Sequence, residues 1–121
     1  MNALEALERY SDFRKHIAAN FSTTTQEMVD KALAMAAERM GDAVRYDSTP
    51  MLDHCVGVAR IVVEEIGLGR NSTVASIIHD VVRVALKGER TALDELTATI
   101  RRDFGEEVLG ITLALGKISD I

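Results

Sequence analysis

The sequence predicts an all-α protein, a bundle of about six helices in one domain. Three observations support this fold class. The 121 residues are 47% hydrophobic, which is enough for a core, and a single proline leaves most helices uninterrupted. Apolar side chains also recur three or four positions apart along most of the chain, as in helices with one buried face. Because only 4% of the residues are aromatic, we expect a core of aliphatic side chains, methionine and alanine.

The first two predicted helices form the amino-terminal part of the chain. The first covers about residues 3–19, and its loose apolar stripe consists of Leu4, Leu7, Phe13 and Ile17. A polar break at 20–25 follows, in which residues 22–24 can cap the next helix. The second helix covers about residues 25–40, and Gly41 is expected to end it.

The third and fourth predicted helices carry the strongest helical periodicity. A polar loop at 42–49 and Pro50 precede the third helix, which covers about residues 51–66 and ends at Gly67. Its apolar positions are Leu52, Cys55, Val56, Ala59, Val62, Val63 and Ile66. The fourth helix covers about residues 71–86. Its apolar positions are Val74, Ile77, Ile78, Val81 and Val82.

The last two predicted helices follow a charged turn at 87–90. The fifth begins with a capping box between Thr91 and Asp94 and ends at Phe104. The sixth begins near Glu106 and still has helical periodicity where the chain stops. Its apolar side chains, which we expect to be buried, include Leu109, Ile111, Leu115 and Ile118. We therefore expect a domain truncated at its carboxyl end, within a longer protein.

Composition limits the partners and the location that we expect. The formal charge of −5 argues against binding to a nucleic-acid backbone, which needs a basic face. The apolar run of a signal peptide is broken near the start by Glu5 and Glu8, and nothing suggests a membrane span. Cys55 is the only cysteine, which suits a reducing compartment. We expect a cytoplasmic protein, and a local basic pocket for a phosphorylated small molecule is compatible with this charge.

One dipeptide stands out as a candidate for chemistry. His79 and Asp80 lie in the middle of an apolar helix, where burial of both groups is costly unless they are paired or bind a metal ion. His54 lies on the preceding, antiparallel helix. A set of two histidines and an aspartate suits a divalent ion such as manganese, which would activate water for phosphoester hydrolysis. The alternative is a structural hydrogen-bonded pair in a helical core.

A set of motifs at residues 45–54, 77–82, 104–108 and 116–119 resembles, in the same order, that of a known family. This family is the RelA/SpoT group of guanosine tetraphosphate and pentaphosphate synthetase/hydrolases. Residues 45–54 resemble the family's Arg-x-Ser-Gly-x-Pro-Tyr-x-x-His, and residues 77–82 resemble its Leu-Leu-His-Asp-Val-Val. Residues 104–108 and 116–119 resemble Phe-Gly-x-x-Val and Thr-Lys-Leu-Ser. The order and spacing hold from about Gln26 to the chain end, apart from a few extra residues in the charged turn.

The resemblance implies an HD-domain-like helical bundle that removes the 3′-pyrophosphate of guanosine tetraphosphate with manganese. By position, the metal ligands would be His54, His79 and Asp80. Arg45 would pack against the guanine base, whereas without the resemblance it would be read as a solvated loop residue. Residues 24–121 would form a partial hydrolase domain, and residues 1–23 an amino-terminal helix and linker.

The departures from the family's pattern are as informative as the matches. Arg83 and Val84 stand where the family has a Glu-Asp pair that is thought to activate water. Val84 cannot take a proton, and Arg83 brings positive charge towards the proposed cation, or could instead contact a ligand phosphate. Met51 replaces the family's tyrosine, and Ser48 or a residue near it replaces the family's glycine. The family's last metal-binding aspartate would lie beyond Ile121.

These observations lead to three functional hypotheses. The first is a degenerate hydrolase domain with weak or no activity, which binds a guanine nucleotide or regulates a synthetase region. The second is an active manganese-dependent phosphohydrolase, which would need another acid, such as Glu64, Glu65 or one beyond the chain end. The third is a non-catalytic bundle that docks on a downstream domain or a second copy of the chain.

Overall fold

The protein is an all-α bundle, as the sequence predicted. The structure, a computed structural model, describes residues 1–86 and 90–119. The helices in these ranges are α1 (Ala3–Arg9), α2 (Ser11–Asn20), α3 (Thr23–Met40), α4 (Met51–Arg60), a π-helical segment (Ile61–Ile66), α5 (Arg70–Leu86), α6 (Arg90–Phe104) and α7 (Glu106–Ser119). The expected charged turn at 87–90 falls almost wholly outside the described residues. The side chains of Thr91, expected in a capping box, and of Ile118, expected to be buried, lie outside them too.

The first predicted helix is divided into α1 and α2 at Tyr10. The backbone of Tyr10 leaves the helical region (φ −101°, ψ 29°), and its hydroxyl group donates a hydrogen bond to Asp53 on α4 (2.6 Å). Arg9 forms a bidentate ion pair with the same carboxylate (2.8 and 2.7 Å). The break allows both short helices to pack on α3, with Phe13 and Ile17 buried. It also ties the amino-terminal helices to the first turn of α4.

The third predicted helix changes pitch before it ends. It stays helical from residue 51 to residue 66, but the segment Ile61–Ile66 has the wider π-helical form. None of the side chains of this segment is fully buried: Val63 packs partly against the core, whereas Ile66 is 61% exposed. Gly67 ends the segment in the left-handed conformation (φ 78°) that glycine adopts most easily.

Helix α5 is the central element of the bundle, since it packs against α3, α4 and α7. The core is mostly aliphatic, as predicted. Its largest buried apolar side chains are Phe13, Ile17, Leu33, Ile77, Ile78, Leu96 and Ile100. The packing of α7 on α5 buries Leu109, as expected, whereas Leu4 of the first predicted apolar stripe is exposed. Within residues 1–86 and 90–119, no helix has both the length and the apolarity needed to cross a membrane.

The loop between α3 and α4 is held in a single shape by short hydrogen bonds. The Arg45 amide donates to the Thr49 carbonyl, and the Ser48 amide donates to the Arg45 carbonyl (both 2.9 Å). The Asp47 carboxylate accepts from the amide and the hydroxyl of Thr49 (3.1 and 2.6 Å). Ser48 has a φ of +67°, in the left-handed region that favours glycine. This loop presents Arg45 and Tyr46 beside the start of α4.

Replacing Ser48 by glycine should stabilise the protein by about 0.5–1 kcal/mol, because the left-handed backbone is strained for any residue with a Cβ atom. The measurement is the free energy of unfolding in urea. Ser48→Ala is the matched control, since it removes the hydroxyl group and keeps the Cβ atom. An equal gain in both variants would show that backbone strain is not the cause.

Candidate metal and phosphate site

The packing of α4 against α5 brings together the three residues that the sequence singled out. His54 on α4 and His79 and Asp80 on α5, hereafter the His–Asp cluster, each offer one ligand atom, and these atoms all lie within 4.8 Å of one another. The Nε2 atom of His54 is 4.0 Å from Oδ2 of Asp80, and Nε2 of His79 is 3.5 Å from Oδ1. The two imidazole centroids are 5.9 Å apart, at an angle of 68°.

The ring of His79 is oriented by its own helix. Its Nδ1 atom lies 2.6 Å from the carbonyl oxygen of Ser76, and a carbonyl oxygen can only accept. The ring therefore carries a proton on Nδ1. In the neutral form the lone pair is on Nε2, which faces the carboxylate of Asp80, as in histidines that bind metal ions. The side chain is 6% exposed, so this orientation is fixed by packing.

The carboxylate of Asp80 is buried and only partly satisfied. Its side chain is 1% exposed. The Oδ2 atom accepts a hydrogen bond from the thiol of Cys55 (3.3 Å). Among the described residues, Oδ1 has no hydrogen-bond partner. Because a buried charged oxygen without a partner is costly, this atom points to a cation or a donor group from outside the cluster.

Arg45 reaches the cluster from the loop before α4. Its Nη1 atom is 3.1 Å from Nδ1 of His54, and its guanidinium carbon lies 5.6 Å from the ring centroid of Tyr46. Since a guanidinium group can only donate, Nδ1 of His54 accepts, and the proton of the neutral ring is on Nε2. Burial, followed by the charge of Arg45, lowers the pKa of His54 below its usual value. The neutral ring is therefore favoured at pH 7.

A cavity of about 240 Å³ adjoins the cluster and is called the site cavity. Its lining consists of Val44, Arg45, Tyr46, Met51, Asp80, Arg83 and Val84. The Nη1 atom of Arg83 lies 3.9 Å from the unpartnered Oδ1 of Asp80. Two guanidinium groups and one carboxylate give the described lining a net positive charge, which suits an anion. The structure thus groups Arg45, Arg83 and Val84 around Asp80.

The acids that were considered as substitutes for the missing Glu-Asp pair lie elsewhere. Glu64 is 3.7 Å from Nδ1 of His16 and 3.7 Å from Nε of Arg60, and it lines a different cavity. Glu65 is exposed and is not part of the site cavity. His16, which lies beside Glu64, is only partly exposed. Among the described residues that line the site cavity, Asp80 has the only carboxylate.

Sequence reasoning did not identify two residues that shape this site. Cys55 was read only as a lone thiol and an apolar position, yet it binds the carboxylate of Asp80. Its position next to His54 on the buried face of α4 was the available signal. Tyr46 was treated as a variable position, yet its ring is 94% exposed at the rim of the site cavity. An exposed aromatic ring beside an arginine suggests a surface for stacking.

The chain belongs to the HD domain family, whose sequence profile matches residues 32–121. The match covers all three residues of the His–Asp cluster and both arginines of the site cavity. HD domains have the fold of metal-dependent phosphohydrolases, and they typically bind divalent metal ions. No curated protein and no solved structure matches the chain significantly. The expectation of an HD-domain-like fold is therefore confirmed.

The donor atoms of the cluster suit a divalent ion, but the positive charges around the cluster do not. Two imidazoles and a carboxylate suit manganese, iron or zinc. Among the described residues, Oδ1 of Asp80 has no hydrogen-bond partner that would compete with such an ion. Two positive charges oppose binding, because Arg45 contacts His54 and Arg83 lies beside Asp80. The proton on Nε2 of His54 would have to leave before that atom could bind a metal ion.

The thiol of Cys55 should react slowly in the folded protein. Burial, followed by the neighbouring carboxylate of Asp80, raises its pKa above the usual range, and the thiolate is the reactive form. We expect labelling by Ellman's reagent at pH 8 to be at least about a hundredfold slower in the native protein than in guanidinium chloride. Comparable rates would show that α4 and α5 do not pack in the register described here.

Proposed function

We propose that this HD domain binds a phosphorylated guanine nucleotide of the guanosine tetraphosphate class and hydrolyses it weakly or not at all. The domain would be a degenerate relative of the RelA/SpoT hydrolase domains. The observation that carries the proposal is the site cavity, where two arginines face a buried aspartate and no second described acid is present. Such a site favours binding of a phosphate group over its hydrolysis.

The arginines supply the contacts that a pyrophosphate group needs. A guanidinium group can donate two parallel hydrogen bonds to phosphate oxygens, and it keeps its charge at any physiological pH. The cavity of about 240 Å³ suits part of a nucleotide rather than the whole molecule. The remainder of the ligand would extend towards the open rim, where Tyr46 lies.

The ring of Tyr46 supplies a stacking surface for the base. It is almost fully exposed and lies close to the guanidinium group of Arg45. Stacking on an aromatic ring stabilises a bound base by about 1–3 kcal/mol. The resemblance to RelA/SpoT proteins assigns base packing to Arg45, so Arg45 and Tyr46 together would form the binding surface for guanine.

The residues that would hold manganese are His54, His79 and Asp80. A divalent ion bound there would stabilise phosphate charge and lower the pKa of a bound water molecule. The chain's own residues give little further help to hydrolysis. Val84 cannot accept a proton from water, and Asp80 would itself be a ligand of the ion. Because Nδ1 of His54 accepts a hydrogen bond from Arg45, the proton of the neutral His54 ring is on Nε2, the nitrogen that faces Asp80.

Binding without turnover is suited to regulation. A nucleotide held between the loop of Arg45 and helix α5 would couple two elements of the bundle, and it would stabilise the bound arrangement. A synthetase region of a longer protein, or a second copy of the chain, is the partner that would respond. We place this role in the cytoplasm.

The test is isothermal titration calorimetry with guanosine tetraphosphate, with and without manganese, together with an assay for released pyrophosphate. We expect binding by the wild-type protein and little or no release. Tyr46→Ala should weaken binding of the nucleotide by about 5–100-fold but leave binding of inorganic pyrophosphate unchanged. Tyr46→Phe, which keeps the ring, is the matched control.

Two results would overturn the proposal. The first is manganese-dependent release of pyrophosphate that His79→Ala abolishes, which would establish an active hydrolase. The second is a guanosine tetraphosphate affinity no higher than that of inorganic pyrophosphate. That result would mean that the base is not recognised.

A further inference from the structure

We propose that Arg83 takes the place of a divalent cation beside Asp80, so that the site cavity binds a phosphoryl group without any metal ion. The proposal extends the proposed function, on which it rests for the choice of ligand. It concerns the side chains of this chain alone. It predicts opposite changes in two measurable affinities when the charge of Arg83 is altered.

The first support is the position of the unpartnered oxygen. Oδ1 of Asp80 is buried and has no hydrogen-bond partner among the described residues, yet the positive charge of Arg83 lies 3.9 Å away. At that distance Arg83 and Asp80 form an ion pair but no hydrogen bond. The guanidinium group therefore offsets the buried negative charge and keeps its N–H groups available. A cation bound at Oδ1 would have to share this space with a like charge.

The second support is the state of His54. Its Nδ1 atom accepts from Arg45, so its Nε2 atom carries the proton that faces Asp80. A metal ion needs the Nε2 lone pair, and it would have to displace that proton and break the contact with Arg45. Both arginines thus stabilise the cluster in a form without metal. They act on different residues of the cluster and from different elements, the loop before α4 and helix α5.

The third support is the location of the guanidinium group. Arg83 follows Asp80 by one helical turn, and its side chain is 42% exposed. Both residues line the site cavity together with Arg45. The head group of Arg83 can therefore contact Asp80 and a ligand in the cavity at the same time. Hydrogen bonds from guanidinium to phosphate are strong, because both groups are charged and their geometries match.

The experiment measures two affinities for the same set of proteins. Calorimetry with inorganic pyrophosphate in the presence of EDTA reports binding without metal. Titration with manganese alone, monitored through the electron paramagnetic resonance signal of the free ion, reports the affinity for the metal ion. The variants are Arg83→Glu, Arg83→Gln and Arg83→Lys. Arg70→Glu is the matched control, because it makes the same charge change on the same helix but outside the site cavity.

We expect the wild-type protein to bind pyrophosphate in EDTA. Arg83→Glu should lower that affinity at least about tenfold and raise the manganese affinity at least about tenfold. Arg83→Gln should change both affinities in the same directions by smaller factors, and Arg83→Lys should retain most of the pyrophosphate binding. Arg70→Glu should change neither. Thermal melting checks that each variant folds, which we expect for a partly exposed side chain.

The outcomes separate this proposal from the proposed function. Pyrophosphate binding that requires manganese would overturn the proposal that Arg83 takes the place of a cation, even if guanosine tetraphosphate binds. An unchanged manganese affinity in both Arg83→Glu and Arg83→Gln would overturn it as well. If pyrophosphate binds in EDTA as described but the nucleotide binds no more tightly, the role of Arg83 stands and the proposed guanine ligand fails.

Discussion

The site depends on one buried carboxylate, that of Asp80 between α4 and α5. A buried charge destabilises a protein by several kcal/mol unless its surroundings compensate for it. Here the thiol of Cys55 and the guanidinium group of Arg83 compensate in part, and one oxygen remains without a hydrogen bond among the described residues. The register of α4 on α5 decides which groups reach this carboxylate. The rest of the bundle holds that register, with α3 and α7 packed on α5.

The sequence predicted the features that follow from local periodicity. The helix boundaries near Met40, Gly67 and Phe104 follow from apolar spacing and glycine, which act within a few residues. The meeting of His54 with His79 was also predictable, because two consecutive helices joined by a short glycine turn pack as neighbours. Ser22 caps α3 as expected, since its side chain accepts from the amide of Thr25.

The features that the sequence did not predict depend on contacts between distant residues. The break at Tyr10 is associated with a hydrogen bond to Asp53, which lies 43 positions away. The thiol of Cys55 and the carboxylate of Asp80 are 25 positions apart. Neither contact leaves a periodic signal in the chain. The left-handed backbone of Ser48 was not predicted either, because serine, unlike glycine, does not indicate a positive φ.

The positive charges around the cluster oppose the binding of a divalent cation. A metal-dependent site concentrates negative charge, so that it can hold a cation and orient water. In this chain Arg45 contacts His54 and Arg83 lies beside Asp80, while Val84 contributes no polar group.

The most direct test of the site is the distance between its two imidazoles, measured in solution by nuclear Overhauser effects. The ring centroids of His54 and His79 are 5.9 Å apart, so some of their ring protons should be within about 5 Å and give cross-peaks. Assignment is simple, because the chain has three histidines. Cross-peaks between these two rings are the predicted result. Their absence, with both rings assigned, would place the imidazoles on separate surfaces and remove the basis for a shared site.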